Sequence, residues 1–389
     1  MTLTGRLAAA GLSVPDYGGR EVGAVLPAAL AALGIADAVP GRDAEADRAR
    51  LGLGAADHVV AVVVDGLGRH LIEARRGHAP YLRNAMTGTL TAGFPTTTAT
   101  SLALFGTGRA AGATGMTGYS ARNPRTGGLA NLVSWEGADD PDEWQREPSL
   151  LAAAEAAGLA VTTLGKPRFE GSGLTRAALA GGEFIGADAL GARVGTALAK
   201  ARRPGLTYLY WGEIDAVGHR HGWQSDAWVA ALEETDADLR RLEAGLPRGA
   251  AMIMTADHGM VDVTGAPRWD VASTPALARD VELVAGEPRM LHLHTAADTA
   301  DAVAARWSET LGTHAVVATR DELIESGLVG PVSPHVRERL GDVIVPMTGR
   351  ATVVDSRTQS PQAIGLVGVH GSLTPEELEV PLVVAGGGR

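Results

Sequence analysis

The sequence predicts an α/β fold: a mostly parallel central sheet with helices on both faces, and a smaller cap subdomain inserted late in the chain. Three observations carry this. Apolar, strand-like runs alternate with helical patterns over most of the 389 residues. Several runs, HVVAVVVDG above all, are apolar throughout rather than at every second position, as expected of strands covered on both faces. Acidic residues fall at the carboxyl ends of these runs, the edge where open α/β sheets form their sites.

Taken in order, residues 1–20 show turn residues and no firm pattern, and read as a surface strap or a partly ordered arm. Val25–Leu33 reads as a helix, with Pro27 tolerated in its first turn, and Asp43–Leu51 as a second. His58–Val64 is the buried strand that ends at Asp65-Gly66, and Arg69–Arg76 is helical. Thr87–Gly93 is a strand feeding the hydroxyl-rich FPTTTATS, residues 94–101. Leu102–Phe105 continues as helix into a glycine-rich loop, GTGRAAGATGMTGYS. Ser149–Ala157 and Asp226–Leu246 are helices; Leu159–Leu164, Leu206–Trp211 and Ala250–Thr255 are strands. From Thr264 to about Gln362 the alternation breaks into a strand-like MLHLHT, a helix at Thr299–Leu311 and DVIVPMTGRATVVD. The resulting partition is a helical arm packed on the core (1–50), a catalytic core (51–263 and 363–389) and an inserted cap (264–362).

Composition removes several function classes. The net charge of −11 disfavours non-specific nucleic-acid binding, which needs a positive field. It leaves room for a small phosphorylated substrate, because bound metals reverse the local sign. The absence of cysteine excludes disulfides, zinc–thiolate sites and cysteine nucleophiles, including the cysteine-derived nucleophile of most sulfatases. The N-terminus lacks the apolar core of a signal peptide, and no apolar run approaches the roughly 18–20 residues of a membrane span. A cytoplasmic protein without a membrane partner is the expectation.

Four dispersed segments carry potential metal ligands: Asp65 in VVVDG, Asp215 and His219 in EIDAVGH, Asp257 and His258 in TADHG, and His370 in GVHGS. Alone, Asp65 reads equally as a turn aspartate. Asp215 and His219 are four apart and share one helical face, so together they can grip a cation. Asp257-His258-Gly259 is the sharpest motif, since two ligand types at a strand end have little structural reason to adjoin. His221 competes with His219 but points away from Asp215 in a helical turn. Thr96, Thr97, Thr98, Thr100 and Ser101 compete as nucleophile, at what reads as a helix start able to bind phosphate. His292 and His294 share one strand face and read as partly buried or surface residues rather than a metal pair. His58 and His78 read as structural.

The set VVVDGLG, FPTTTATS, IDAVGHRHG, TADHGM and GVHGSLTPEE, in this order, resembles the alkaline phosphatase superfamily, and within it the type I phosphodiesterase/nucleotide pyrophosphatase group. The resemblance implies a two-zinc site, with manganese or iron as other occupants. Asp65, Asp257, His258 and the nucleophile would hold one ion, and Asp215, His219 and His370 the other. It selects Thr98 as nucleophile, through a phospho-threonine intermediate, on a nucleotide or other phosphodiester. The group's phosphoryl-binding asparagine has no counterpart here; GMTGYS offers Tyr119 instead. A phosphomonoesterase or phosphonate hydrolase would share the metal core; the monoesterase would need added cations, for which Arg109, Arg122, Lys166 and Arg168 are candidates. A non-catalytic binding protein is the reading from a different class.

Overall fold

The computed structural model describes residues 1–386. In chain order its main strands are β1 (His58–Val64), β2 (Met86–Thr91), β3 (Val161–Gly165), β4 (Glu183–Gly186), β5 (Gly205–Trp211) and β6 (Ala250–Thr255). The late segment adds β7 (Val281–Glu287), β8 (Met290–Thr295), β9 (Ala318–Thr319) and β10 (Val343–Pro346), and β11 (Glu379–Gly386) closes the series. Seven of them form the central sheet, in the order β2–β11–β6–β1–β5–β3–β4. Every pairing is parallel except those of β11, which runs against both β2 and β6. The expected mostly parallel sheet is borne out.

Every residue of β1 is buried, which is why its sequence shows no alternation. The helix Val25–Ala32 is apolar all round and buried at every position, Pro27 included. Leu190–Lys200 buries Leu190, Val194 and Ala197, a stripe at helical spacing. Asp226–Gly245 starts where Ser225 Oγ accepts the Trp228 amide at 3.2 Å. It buries Trp228, Leu232, Leu239 and Leu242. No helix among the described residues is long and apolar enough to cross a membrane.

Two expectations need correction. Residues 1–20 are not a plain strap: Leu3–Ala9 is a helix, capped by Thr2, and Leu3, Leu7 and Leu12 enter the core. Arg6 of this helix reaches the Val317 carbonyl at 3.0 Å and Glu322 at 2.5 Å. Nor are His292 and His294 partly exposed. The sheet β7–β8–β10–β9 is covered on both faces. Leu291 and Leu293 pack with Val303, Trp307 and Leu311 of the helix Ala300–Leu311, while Met290 and Ile344 join the main core. The histidines share the latter face, as strand alternation requires. His292 Nε2–H donates to the Thr117 carbonyl at 3.0 Å, and its Nδ1 accepts the Gly341 amide at 3.1 Å. Burial holds it down to about 4, so it is a neutral core residue.

Candidate metal centre

The register of the parallel strands builds the site. Val64 of β1 lies beside Trp211 of β5, and Val63 beside Thr255 of β6, so the three strands end together. Asp65 follows β1 directly, its amide bonded to the Trp211 carbonyl at 2.8 Å. Asp257 and His258 follow β6. Asp215 sits in the first turn of the helix Glu213–His221 that leaves β5. Gly66, at φ +72°, allows this crowding: a Cβ there would stand 2.9 Å from the Asp215 Cα.

The hydroxyl cluster sorts itself by partner. Thr96 Oγ1 donates to the Ser372 carbonyl, Thr100 Oγ1 to the Met116 carbonyl, and Ser101 Oγ accepts the Gly93 amide. Thr97, the N-cap of the helix Thr98–Thr107, buries its hydroxyl without a partner. Thr98 opens that helix, and its Oγ1 lies 3.2 Å from His258 Nε2.

All seven sequence-selected residues converge on this edge. His258 Nε2 is 3.4 Å from Asp65 Oδ1 and 3.5 Å from Asp257 Oδ2. His219 Nε2 is 3.2 Å from Asp215 Oδ2, and His370 Nε2 is 3.8 Å from Asp215 Oδ1. Asp215, His219 and His370 form one compact donor group; Asp65, Asp215 and His258 form a second. Asp215 therefore reaches both groups, whereas Asp257 meets the cluster through its second oxygen. His221 is exposed and stays outside.

Each of the three imidazoles places Nδ1 against a main-chain carbonyl: His258 on Gly259 at 2.9 Å, His219 on Gly368 and His370 on Thr96, both at 2.7 Å. A carbonyl can only accept, so Nδ1 carries a proton and Nε2 is the nitrogen that each ring turns to the centre. Facing these nitrogens, Asp65 Oδ1, Asp215 Oδ1 and Asp257 Oδ2 are buried without a donor. Burial and the neighbouring Asp257 and Asp215 push the Asp65 carboxyl well above its ordinary range, although the Tyr210 hydroxyl donates to its other oxygen. Burial also raises Asp257. Burial works upward on Asp215 too, but His219, His370 and His258 hold its carboxyl well below the usual range. Burial opposes charge on His219, yet Asp215 lifts it to about 9, while burial and His258 keep His370 far down. Three carboxylates, each with a buried oxygen left without a donor, and three imidazoles turning Nε2 to the same centre fit cations. The oxygen and nitrogen donors, without thiolate, suit zinc and also manganese or iron.

The centre opens into a cleft of about 400 Å³. Lys166 and Arg168 line it; Arg109 and Arg122 do not. Lys166 Nζ pairs with Glu213 at 3.1 Å, and the Arg168 guanidinium lies over the Phe169 ring at 5.0 Å. No asparagine lines the cleft, and Tyr119, 46% exposed, stands in its wall. An apolar pocket of about 410 Å³ adjoins it, lined by Leu102, Leu164, Leu174, Phe184 and Tyr208. Sequence reasoning missed two wall residues. Tyr210 was legible only as a strand residue five before Asp215. Glu287, which accepts the Tyr119 amide at 2.7 Å, carries no local motif at all.

The sequence pattern of the family described as type I phosphodiesterase / nucleotide pyrophosphatase matches residues 59–373. A phosphopentomutase from Sinorhizobium fredii is 35% identical over 116 residues, 29% of this chain and 27% of that enzyme. The chain thus aligns with only about a quarter of the length of this curated relative. Murine ectonucleotide pyrophosphatase / phosphodiesterase 5 superposes with a TM-score of 0.67 at 17% identity, over 84% of this chain and 88% of that one. An inactive threonine-to-alanine form of the murine protein, in complex with AMP, superposes with a TM-score of 0.66 at 16% identity, over 84% and 87%. Phosphonoacetate hydrolase from Sinorhizobium meliloti, in complex with phosphonoacetate, gives 0.64 at 20% identity, over 84% and 89%. The structural likeness establishes the fold, and the family pattern spans the first four motifs and the fifth as far as Leu373. The chain belongs to the type I phosphodiesterase / nucleotide pyrophosphatase family of the alkaline phosphatase superfamily.

Proposed function

We propose that the protein is a metal-dependent hydrolase of small phosphodiesters, nucleotide esters among them, with Thr98 as nucleophile. One observation carries the reading: of the FPTTTATS hydroxyls, that of Thr98 lies within hydrogen-bond distance of a candidate ligand, 3.2 Å from His258 Nε2. Asp65, Asp257, His258 and Thr98 would hold one zinc ion, and Asp215, His219 and His370 the other. When bound, such ions supply Lewis-acid stabilisation of phosphoryl oxygens and lower the pKa of a coordinated hydroxyl. Thr98 Oγ forms the bond to phosphorus as its proton passes to solvent, and the opposite P–O ester bond breaks, releasing the alkoxide that takes up a proton as the alcohol; water then hydrolyses the phospho-threonine to free Thr98 and a phosphate product. The first turn of Thr98–Thr107 offers main-chain N–H groups to the phosphoryl oxygens. Gly286, Glu287 and Pro288 at the end of β7 contribute to the cleft wall, which supports reading residues 264–362 as a cap on the catalytic core.

Lys166 and Arg168 in the cleft favour a second reading, a phosphomonoesterase or phosphonate hydrolase, because the added charge suits a dianion. The test compares turnover of bis-p-nitrophenyl phosphate and p-nitrophenyl phosphate, with and without chelator. A faster, chelator-sensitive rate on the diester supports the first reading, and a monoester preference supports the second. Zinc binding without turnover of either, or of phosphonates, leaves a binding protein.

A further inference from the structure

Arg289, in the turn between β7 and β8, and Glu377, seven residues past His370, are both 0% exposed and form a bidentate ion pair. Arg289 Nε donates to Glu377 Oε1 at 3.0 Å and Nη2 to Oε2 at 2.6 Å, while Nη1 donates to the Ala351 carbonyl at 2.7 Å. The same carboxylate accepts the Ser372 amide at 3.0 Å and the Thr374 hydroxyl at 2.7 Å. Ser372 is held further: its Oγ donates to the Met347 carbonyl, and its carbonyl accepts Thr96 Oγ1. Thr96 Oγ1 in turn accepts the Gly371 amide at 3.1 Å, and the Thr96 carbonyl accepts His370 Nδ1–H.

A pair of this kind is a poor way to gain stability. Desolvating two charges costs several kcal/mol per ion, and apolar side chains of similar volume often serve as well or better. Its bonds instead run without a break from the inserted segment to the loop that aims His370. We infer that Arg289 and Glu377 are positioning residues, through which the inserted segment sets the His370 loop for metal binding. The inference rests on the two-metal reading above.

The test is a calorimetric zinc titration of the metal-stripped full chain, comparing the parent with Arg289→Lys, Arg289→Met/Glu377→Gln and His370→Ala. The glutamine keeps an acceptor for the Ser372 amide while the pair's charges are gone. In the parent, two equivalents bind. In the folded pair variants, the step that His370→Ala abolishes weakens at least about tenfold and the other step is kept. Amide exchange at Gly371 and Ser372 also rises in the metal-free variants. Folded variants that bind both equivalents like the parent, or weaken both equally, overturn the inference. If the double variant does not melt cooperatively, Arg289→Lys decides alone, because it keeps the charge and loses the bidentate fork. A parent that binds no zinc sinks the two-metal reading instead.

Discussion

Replacing Asp257 by asparagine should move stability in opposite directions with and without metal. Asp257 Oδ1 accepts the Gly66 amide at 3.1 Å and the His258 amide at 3.0 Å, and an asparagine keeps that oxygen and both bonds. Its Oδ2 is buried with no donor, 3.5 Å from the His258 Nε2 lone pair, and the charges of Asp65 and Asp257 oppose each other. The amide nitrogen replaces this orphan acceptor by a donor facing acceptors. Leaving such a group unsatisfied costs about 1–3 kcal/mol, so in chelator Asp257→Asn should be more stable than the parent by an amount at the lower end of that range. In zinc, the parent gains RT ln(1 + [Zn]/Kd), about 2.7 kcal/mol at a hundredfold excess over Kd. The variant forfeits most of that gain, and the order reverses. Urea unfolding of both proteins, in chelator and in excess zinc, reads this directly. A variant that is less stable by the same margin in both buffers would refute the account of an unfilled cation site.

Thr98→Ala should abolish turnover while most zinc is retained, whereas Thr97→Val should keep near-parental rates, since it removes a buried hydroxyl that has no partner; steady-state rates with zinc analysis decide, and the reverse pattern moves the nucleophile to Thr97. Arg168→Ala should raise KM for a monoester several-fold more than for a diester, because Arg168 lines the cleft with no acidic partner among the described residues; equal effects on both would remove it from charge recognition. Burial pushes the Glu287 carboxyl from 4.5 up to about 8. The folded chain therefore keeps a proton that the unfolded chain releases, and this contribution to stability is complete below the unfolded value and lost as pH rises toward about 8. In chelator, Glu287→Gln should flatten the fall in the urea midpoint between about pH 5 and about pH 9; an unchanged slope would contradict the assignment.

What could be read from the sequence follows from how local each signal is. β1, β5 and β6 announce themselves because strands covered on both faces carry near-continuous apolar runs, and the ligands stand within a few residues behind them. β11 does not, because Pro381 argues against a central strand. Its register explains the exception. Residues 379–382 pair only with β2, and β6 takes over from residue 383, so the missing N–H falls where one side is unpaired. The helix Leu3–Ala9 is too short to show a period, and its burial depends on contacts with residues more than 300 positions away. His292 and His294 looked half-exposed because one sequence cannot show that both faces of their sheet are covered. At the site, residue types and spacing exposed every ligand candidate. Residue type and spacing do not separate Thr97 from Thr98; the family resemblance selects Thr98, whose hydroxyl lies 3.2 Å from His258 Nε2. Glu287, Arg289 and Glu377 were invisible because their partners stand far off in sequence: the Tyr119 amide for Glu287, and 88 positions between Arg289 and Glu377.

The position of β11 also shapes how this chain must be made. β2 joins the central sheet only through β11, and β6 finds its second neighbour only there. Both strands leave the ribosome long before residues 379–386 exist. At about 5–20 residues per second, synthesis of residues 256–386 leaves the flank of β6 unpaired for roughly 6–26 s. An unpaired, apolar strand flank is a template for pairing with a stranger. Until its last strand is made the nascent chain therefore carries an open flank, and stalling within this stretch should favour aggregation over native-like intermediates.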